Sequence, residues 1–599
     1  MHPPVFSTPC DGRRPRAAAL ACALGALGAL VSGCATGEPA DAGIVGGDAQ
    51  RPPTTIVDAA WLDDVVLPEP LGPLPRHAPA YLGGLETHDP CARCHRNVSG
   101  EPAMRDERGR AIGADDLWRA SMMGLAGRDP YWLAVLSHEL AENPAAPQLV
   151  EHLCTRCHAP SANVVRGGAS PVPFATVTSE ASPLGNLARD GVTCTLCHRI
   201  ADEGLGARDS FTGGFTIEMR SEIYGPHERP EATGMVAATG YTPVHAPHFM
   251  RSAICGTCHT VITRALDATG AQVGPPFAEQ APYLEWRSSA YSDEGPRPGP
   301  EARGCPSCHV PTASQDGVTL RTAISSSPPE LAARSPYGRH VFVGGNAYML
   351  ELMAGELDWL GADVTPAALM AASEATEANL REAATIALDA RVDGERIVAS
   401  VRIENLTGHR LPTGYPSRRL FVRFTVEDGT GAVLWQSGRT HAGGGLTDRD
   451  GDRLDHPGAY APHFDLITRE DQVQVYESVM ADLAGRPTRS LLRAASFLKD
   501  NRLLPRGWDP SDEDAAFIAP AGVDGDASFA PGGDTVRYAV PRPAGAARVR
   551  AELVYQTVPP AAVEHLFDLP TPAIARFDAM RRARPDRGRV LAAADRRLP

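Results

Sequence analysis

One short motif, Cys-x-x-Cys-His, recurs five times along this 599-residue chain. It limits the possible folds more than any other feature, because it uses all of the cysteines except three that lie within the first 34 residues. We number the motifs in chain order: CARCH (Cys91, Cys94, His95), CTRCH (Cys154, Cys157, His158), CTLCH (Cys194, Cys197, His198), CGTCH (Cys255, Cys258, His259) and CPSCH (Cys305, Cys308, His309).

The spacing within the motif matches a specific covalent chemistry. Two thiols on one turn of backbone can add to the two vinyl groups of a haem, and the next histidine then supplies the proximal nitrogen to the iron. Zinc is the main alternative, but a zinc ribbon needs paired Cys-x-x-Cys knuckles and no histidine fixed behind each one. A disulfide framework does not need that histidine either. We therefore predict five covalently bound haem c groups, with the five motif histidines as proximal iron ligands.

The motifs are close together in the chain, since all five fall between Cys91 and His309. So little polypeptide per cofactor cannot build an ordinary hydrophobic interior. We expect the haems to form most of the core of this region and to lie near one another.

The N-terminus has the order of a secretory signal. The basic stretch RRPR precedes a short apolar run that ends in VSGC at Cys34. We predict a signal peptide over 1–34 with a lipid-modified Cys34, the alternative being an ordinary signal peptidase site nearby. Residues 35–80 are rich in Gly, Pro, Ala and Asp and are expected to form a flexible tether. These features predict a periplasmic or cell-surface lipoprotein anchored to the outer membrane.

The acidic balance of the chain argues against a nucleic-acid partner. Its net charge of −15 is opposite to the basic face that such a partner requires. No segment after the signal has the roughly 18 consecutive apolar residues of a spanning helix. The membrane is therefore expected as a partner only through the lipid.

The chain divides into a haem-bearing part and a β-rich part. Residues 81–345 are predicted to form a mainly helical and loop cytochrome domain, and 346–384 a helical connector whose helix begins at Thr365-Pro366. Apolar residues then alternate on both sides of Asp393-Gly394, which is typical of a hairpin.

Further strands of this kind predict a β-sandwich-like domain over 385–560. Within it, VQVYESVMADLAGRPT and LLRAASFLKDNRLLP are predicted to be a helical insertion, and residues 561–599 a C-terminal tail. The fold class is therefore α+β multidomain.

Several longer segments resemble those of a known family. They are WRASMMGLAGRDPYW, HLCTRCHAP, DGVTCTLCHRI, FTGGFTI, RSAICGTCHTV, FAEQAPYLEWRSSAY, CPSCHVP, HVFVGGNAYML, TGHRLPTGYPSRRLFV and KDNRLLPRGW. Their order resembles that of exported multihaem c-type cytochromes distantly related to the tetrahaem cytochrome and hydroxylamine oxidoreductase group. The resemblance implies electron transfer in the cell envelope and does not imply a particular enzymatic activity.

The residue on the second axial side of each iron decides between electron transfer and substrate binding. Multihaem cytochromes often carry a distal histidine in W-x-x-S-x-H, and this chain has Met123 and Tyr291 at the corresponding positions of WRASMM and WRSSAY. Met123 is a candidate ligand, with packing on the porphyrin as the alternative; for Tyr291 packing is the favoured interpretation. His248 and His340 are further candidates, with surface histidines as the alternative.

The loop TGHRLPTGYPSRR contributes the last candidates. His409 is expected either to ligate a haem of the first domain or to bond to local carbonyls. Arg418 and Arg419 could pair with haem propionates, since guanidinium matches carboxylate geometry, and surface arginines are the alternative.

Three functions follow from these features. The first is a lipid-anchored electron carrier whose donor and acceptor are other redox proteins of the envelope. The second is an oxidoreductase that acts on a small nitrogen or sulfur compound at a haem with an open axial position. The third is a structural subunit of a larger envelope redox complex.

Overall fold

Proline and glycine divide the first part of the chain into short helices, many of which have proline in their first turn, where the missing N–H is not needed. A computed structural model describes residues 65–167, 170–218, 220–294, 298–314, 316–328, 330–456, 458–545 and 547–599. The predicted signal peptide, Cys34 and most of the tether lie outside these residues.

The α-helices are α1 Asp89–His95, α2 Ala114–Trp118, α3 Pro130–Glu142, α4 Pro147–His158, α5 Pro160–Val165, α6 Phe174–Thr178, α7 Pro183–Arg189, α8 Cys194–Cys197, α9 Thr233–Thr239, α10 Ala253–Gly256, α11 Pro282–Arg287, α12 Cys305–His309, α13 Ala347–Ala354, α14 Leu357–Leu360, α15 Pro366–Arg381, α16 Ala515–Ile518, α17 Pro560–Val563 and α18 Pro572–Ala583.

The strands are β1 Tyr81–Leu82, β2 Leu85–Glu86, β3 Glu222–Gly225, β4 Thr242–His245, β5 Val261–Leu266, β6 Gln272–Gln280, β7 Ala384–Asp393, β8 Arg396–Asn405, β9 Arg419–Asp428, β10 Val433–Ser437, β11 Arg439–Thr440, β12 Leu446–Thr447, β13 Leu466–Ile467, β14 Val475–Tyr476, β15 Ser478–Ala481, β16 Pro487–Thr488, β17 Ser496–Asp500, β18 Gly533–Pro541, β19 Ala547–Gln556 and β20 Arg589–Leu598.

The helical part has its own hydrophobic core, centred on α3. This helix begins where the Asp129 carboxylate accepts the backbone N–H groups of Tyr131 and Trp132, the usual way to satisfy the free donors of a helix start. Leu133 and Leu136 of α3 are buried together with side chains from α13 and α18. Elements that are distant in sequence therefore share one interior.

Two sheets build the β-rich part. One has the strand order β13–β18–β8–β7; the other has β10–β9–β19–β20, with β14 also paired to β9. Side chains of both sheets, such as Val401 from β8 and Phe424 from β9, belong to one buried cluster. This is the arrangement of a β-sandwich.

The predicted hairpin and connector helix are confirmed. Strands β7 and β8 pair antiparallel from Ala384↔Asn405 to Asp393↔Arg396. The connector helix α15 begins at Pro366, where the Thr365 side chain accepts the N–H of Ala368. Both elements combine a clear hydrophobic period with a local start or turn signal, which explains why they were predictable.

The predicted helical insertion is wrong. Residues 473–505 contain β15, which pairs with β16 and β17 in a three-stranded antiparallel sheet. The alternating Val473, Val475 and β-branched neighbours favour strands, and Gly485 takes a left-handed φ of +74° in the connection, which glycine adopts without strain.

The two chain ends of the described part are also more structured than expected. Residues 561–599, predicted to be a tail, contain α18 and the strand β20, which pairs with β19 over its length. The last residues of the predicted tether pack on the protein: the N–H of Leu71 donates to Pro572 O (2.7 Å), that of His77 to Gly361 O (2.7 Å), and Leu74 is buried. No helix within the described ranges combines the length and apolarity needed to cross a membrane.

Candidate haem-attachment sites

Each motif lies on or at the end of a short helical turn, in α1, α4, α8, α10 and α12. The ten motif thiols are free, and their cysteines are only partly buried or exposed, whereas neighbouring residues such as Thr155, Thr195, Leu196 and Thr257 are almost fully buried. The backbone is thus fixed by the residues between the thiols, and the cysteines themselves are less completely buried. This arrangement fits covalent attachment of a large planar group.

Four motif histidines have one ring nitrogen fixed by a backbone carbonyl. The Nδ1–O distances are 2.7 Å for His95–Ile324, 3.3 Å for His158–Ala126, 2.7 Å for His198–Tyr224 and 2.6 Å for His309–Val343. A proton on Nδ1 leaves the lone pair of Nε2 free, which is the usual state of a metal-binding histidine.

Burial supports the same protonation state. It lowers the pKa of His158 to about 4, so this ring is neutral at pH 7, as metal ligation requires. His259 differs from the other four because, within the described ranges, no carbonyl accepts from its ring, and the residue is exposed.

Two candidate distal histidines lie opposite motif histidines. The ring centroids of His340 and His198 are 6.2 Å apart with an interplanar angle of 25°, and those of His409 and His309 are 6.4 Å apart at 15°. Metal–imidazole bonds are about 2 Å long and the centroid lies about 1.1 Å behind the bonding nitrogen, so two imidazoles on opposite sides of one metal ion have centroids roughly 6.3 Å apart. The observed separations match this value.

Both distal candidates are also held like the motif histidines. His340 Nδ1 lies 3.1 Å from Gly338 O, and His409 Nδ1 lies 2.8 Å from Arg410 O. In each case Nε2 is left as the ligating atom.

His248 is placed differently, and its prediction as a distal ligand is not supported. Its Nε2 lies 2.9 Å from Ile200 O, so this nitrogen carries a proton and has no lone pair for iron. The ring contacts Tyr224 and Phe249, and Phe249 in turn stacks on His198. His248 therefore packs against Phe249, the residue that stacks on the histidine of the third motif.

The two W-R-x-S segments perform one structural role twice. The indole N–H of Trp118 donates to Val192 O (2.9 Å), and that of Trp286 donates to Arg303 O (3.0 Å). Val192 and Arg303 each stand two residues before the first cysteine of a motif. We call these paired contacts the tryptophan braces, and they fix the approach to the third and fifth motifs.

The last residue of each segment makes a backbone hydrogen bond to the same residue that the tryptophan contacts. The carbonyl of Met123 accepts the N–H of Val192 (3.1 Å), and the carbonyl of Tyr291 accepts that of Arg303 (2.9 Å). The Tyr291 hydroxyl donates to Leu406 O at 3.0 Å, which agrees with a packing role. The Met123 side chain is half-buried, and its ligation stays a prediction.

The motifs are neighbours in a branched order. Thiols of different motifs interact electrostatically in the pairs Cys91–Cys194, Cys157–Cys258 and Cys255–Cys305. Ile200, which follows the third motif, and Ile254, which directly precedes the first cysteine of the fourth, lie in one hydrophobic cluster. The first motif thus lies beside the third, and the fourth lies beside the second, third and fifth.

The two arginines proposed for propionates have different surroundings. Arg419 is buried and already paired with Asp455 at 2.8 Å, so its predicted role is corrected to a structural ion pair. Among the described residues, the hydrogen-bond acceptors of Arg418 are the Thr413 carbonyl and the Asn346 side-chain oxygen, both neutral. Its positive charge therefore remains available for a carboxylate.

A buried ionic network that sequence reasoning missed surrounds the His409 loop. Arg502 contacts Glu285 of α11 at 2.9 Å and Asp500 at 2.7 Å, and Arg410 contacts Asp500 at 2.7 Å. The backbone N–H of Arg410, next to His409, donates to Glu285 (3.2 Å). We call these four side chains the Glu285 network. The sequence contained both loops, and nothing in their local patterns indicated that they meet.

Two buried carboxyls near the second motif predict a pH effect. Burial, with repulsion from neighbouring carboxylates, raises the pKa of Glu139 to about 7 and that of Glu279 to about 8. An unfolded glutamate has a pKa of about 4.3, so the folded protein binds more protons between these values and loses stability as the pH rises through them.

We expect the thermal midpoint to fall between pH 5 and pH 8 and Glu279→Gln to weaken that dependence. Midpoints measured by circular dichroism at several pH values check this, with Glu382→Gln, at an exposed helix end, as the control. Parallel profiles for Glu279→Gln and the native chain would contradict the assignment.

The chain is similar to a solved structure, although no family model or curated protein matches it. The chain is similar to the crystal structure of a penta-heme cytochrome c552 from Thermochromatium tepidum, with 18% sequence identity, a TM-score of 0.48, and coverage of 86% of this chain and 100% of that one.

Proposed function

We propose that the chain is an exported c-type cytochrome with five haems that transfers electrons in the cell envelope. The observation that carries the proposal is the pair of opposed imidazoles, His198 with His340 and His309 with His409, at the separation that a shared metal ion requires. Bound haem supplies one-electron redox chemistry at its iron.

The chain's own residues have distinct roles in this proposal. The paired thiols of each motif would form thioethers to haem, and the motif histidines would bind iron through Nε2. In four of the five motifs, all except that of His259, a carbonyl on Nδ1 fixes the ring. Where a second histidine stands opposite, the two rings would leave no position on the metal ion for a substrate. Such a site favours electron transfer over catalysis.

The spatial order of the motifs supports transfer along the protein. The first motif contacts the third, and the fourth contacts the second, third and fifth. Each motif lies beside at least one other. An electron that enters at one haem would therefore have another haem close by to receive it.

The cellular setting is part of the proposal. We infer a lipid anchor at Cys34, attachment to the outer membrane, and other envelope redox proteins as electron donor and acceptor. A distant relationship to the tetrahaem cytochrome and hydroxylamine oxidoreductase group belongs to the same proposal. Support for these points comes from the sequence signals alone.

Intact mass and low-temperature EPR of the matured protein test the proposal. We expect a mass increase of five haems and low-spin ferric signals of bis-imidazole type from two of them. A protein without covalent haem would overturn the proposal, and so would signals with no bis-imidazole component.

A second candidate function is an oxidoreductase that acts on a small nitrogen or sulfur compound. One observation favours it: within the described ranges, no second histidine stands opposite His95, His158 or His259 at the separation found for the other two motifs. Titration of the reduced protein with carbon monoxide, and of both redox states with nitrite, distinguishes the candidates. A Soret shift on one haem would favour the enzyme, and no shift would exclude it.

A further inference from the structure

Two clusters of histidine and aspartate lie outside the motifs. One contains His77, His88 and Asp190, and the other contains His463, Asp526 and Asp534; in each, one ligand atom per residue lies within 4.8 Å of the others. The two clusters have similar composition. The hydrogen bonds on the outer ring nitrogens distinguish them, because those bonds fix where each ring carries its proton.

His77 presents a free lone pair to the centre of the first cluster. Its Nε2 lies 3.1 Å from both carboxylate oxygens of Asp89, which is held in place by the Thr87 hydroxyl at 2.6 Å. Nε2 must therefore donate, and Nδ1 faces Asp190 Oδ1 at 3.6 Å. A lone pair opposite a carboxylate is unfavourable, so either a proton or a metal ion must lie between the two atoms.

His88 has the same orientation toward Asp190. Its Nδ1 lies 2.8 Å from Asp190 Oδ1, while its Nε2 faces Asp363 at 3.6 Å and Asp115 at 3.9 Å. Both His88 Nε2 and Asp115 Oδ1 are buried without a hydrogen-bond partner. The other oxygen of Asp190 accepts the backbone N–H of His88 at 2.8 Å, which aims Oδ1 at the two rings.

The second cluster lacks this property. His463 Nδ1 accepts from Gln474 Nε2 (2.8 Å) and Asn501 Nδ2 (3.0 Å). The orientation of both amides is fixed, because their oxygens accept the backbone N–H groups of Phe464 and Glu477. Nε2 therefore carries the proton and donates it to Asp526. A metal ion there would require the ring to give up its last proton.

We propose that His77 Nδ1, His88 Nδ1 and Asp190 Oδ1 bind one divalent transition-metal ion, best matched by Zn²⁺. Two imidazole nitrogens and one carboxylate oxygen form a common zinc donor set, whereas Ca²⁺ and Mg²⁺ prefer oxygen ligands throughout. The carboxylates on the outer nitrogens, Asp89 for His77 and Asp363 with Asp115 for His88, are the second shell that such histidines usually have.

The position of the site suggests a structural role. His77 belongs to the segment that packs on the helical core, His88 directly precedes α1 with the first motif, and Asp190 stands four residues before Cys194 of the third motif. A bound ion would connect these three segments and hold the first and third motifs in register.

Zinc uptake by the matured protein tests the site. Protein dialysed against a chelator, exposed to zinc chloride and desalted is analysed for zinc and iron by mass spectrometry. We expect one zinc per chain in the native protein and in His463→Ala, the matched control, and none in His77→Ala or His88→Ala. Asp89→Asn should keep the site but weaken zinc affinity roughly 10- to 100-fold.

The outcomes separate this inference from the proposed function. No zinc in the native protein, or equal zinc in native protein and His77→Ala, would overturn the site. If the histidine variants do not fold, X-ray absorption at the zinc edge of the native protein decides. Two imidazole ligands at about 2.0 Å from the zinc are expected, and their absence would overturn the proposal. The iron content reports on the haems independently.

Discussion

Replacing His409 with alanine will convert one haem from low spin to high spin and give it a carbon monoxide site. The reason is that His409 is the imidazole opposite His309, and its removal opens that axial position. We expect about one fifth of the haem signal to change, measured by low-temperature EPR and by carbon monoxide titration of the reduced protein. His340→Ala should do the same for the third motif, and the double variant should change two haems.

The controls for this experiment come from the same chain. His248→Ala removes a buried histidine near the third motif whose Nε2 is bonded to a carbonyl, and it should leave the spin states unchanged. His409→Met should keep six-coordinate iron and raise the potential of one haem, because methionine ligation raises it. An unchanged spectrum in both His409→Ala and His340→Ala would contradict the ligand assignment.

Replacing Glu285 with glutamine will destabilise the protein and loosen the His409 loop. Glu285 and Asp500 balance the charges of Arg410 and Arg502, all four side chains being almost fully buried. Removing one charge of a buried pair leaves the partner uncompensated, at a cost on the order of 3 to 5 kcal/mol. A lower thermal midpoint by circular dichroism, and a new high-spin fraction from the fifth motif, are the expected results.

A surface pair provides the comparison. Asp471 contacts Arg469 at 2.9 Å with both side chains largely exposed, and exposed pairs contribute little. Asp471→Asn should leave both the midpoint and the spectrum unchanged. Equal midpoints for Glu285→Gln and Asp471→Asn would show that the Glu285 network does not stabilise the fold.

The features that were predictable from sequence are those with short-range signals. The motif fixes thiols and imidazole within five residues, and the hairpin at Asp393 and the helix start at Thr365 each depend on adjacent residues. His340 and His409 were predicted as candidates because a glycine- or proline-rich turn next to a histidine can aim its ring. Their pairing with particular motif histidines depends on chain folding and was not predictable.

The errors have the opposite character. Residues 473–505 contain as many alanine and leucine residues as a helix often does. Part of this segment is nevertheless the strand β15, because it pairs with β16 and β17. The strand β20 has charged residues that are typical of a C-terminal tail. It is a strand because it pairs with β19, and this pairing was not visible in its own sequence. His77, His88 and Asp190 are far apart in sequence, so a search for spaced ligands could not find them.

The position of β20 affects the order in which the protein can be completed. It is the last strand of the chain and closes one sheet of the sandwich that carries the His409 loop. All ten motif thiols lie N-terminal to this strand. Under the function proposed above, haem attachment would therefore not have to wait until the sheet is complete.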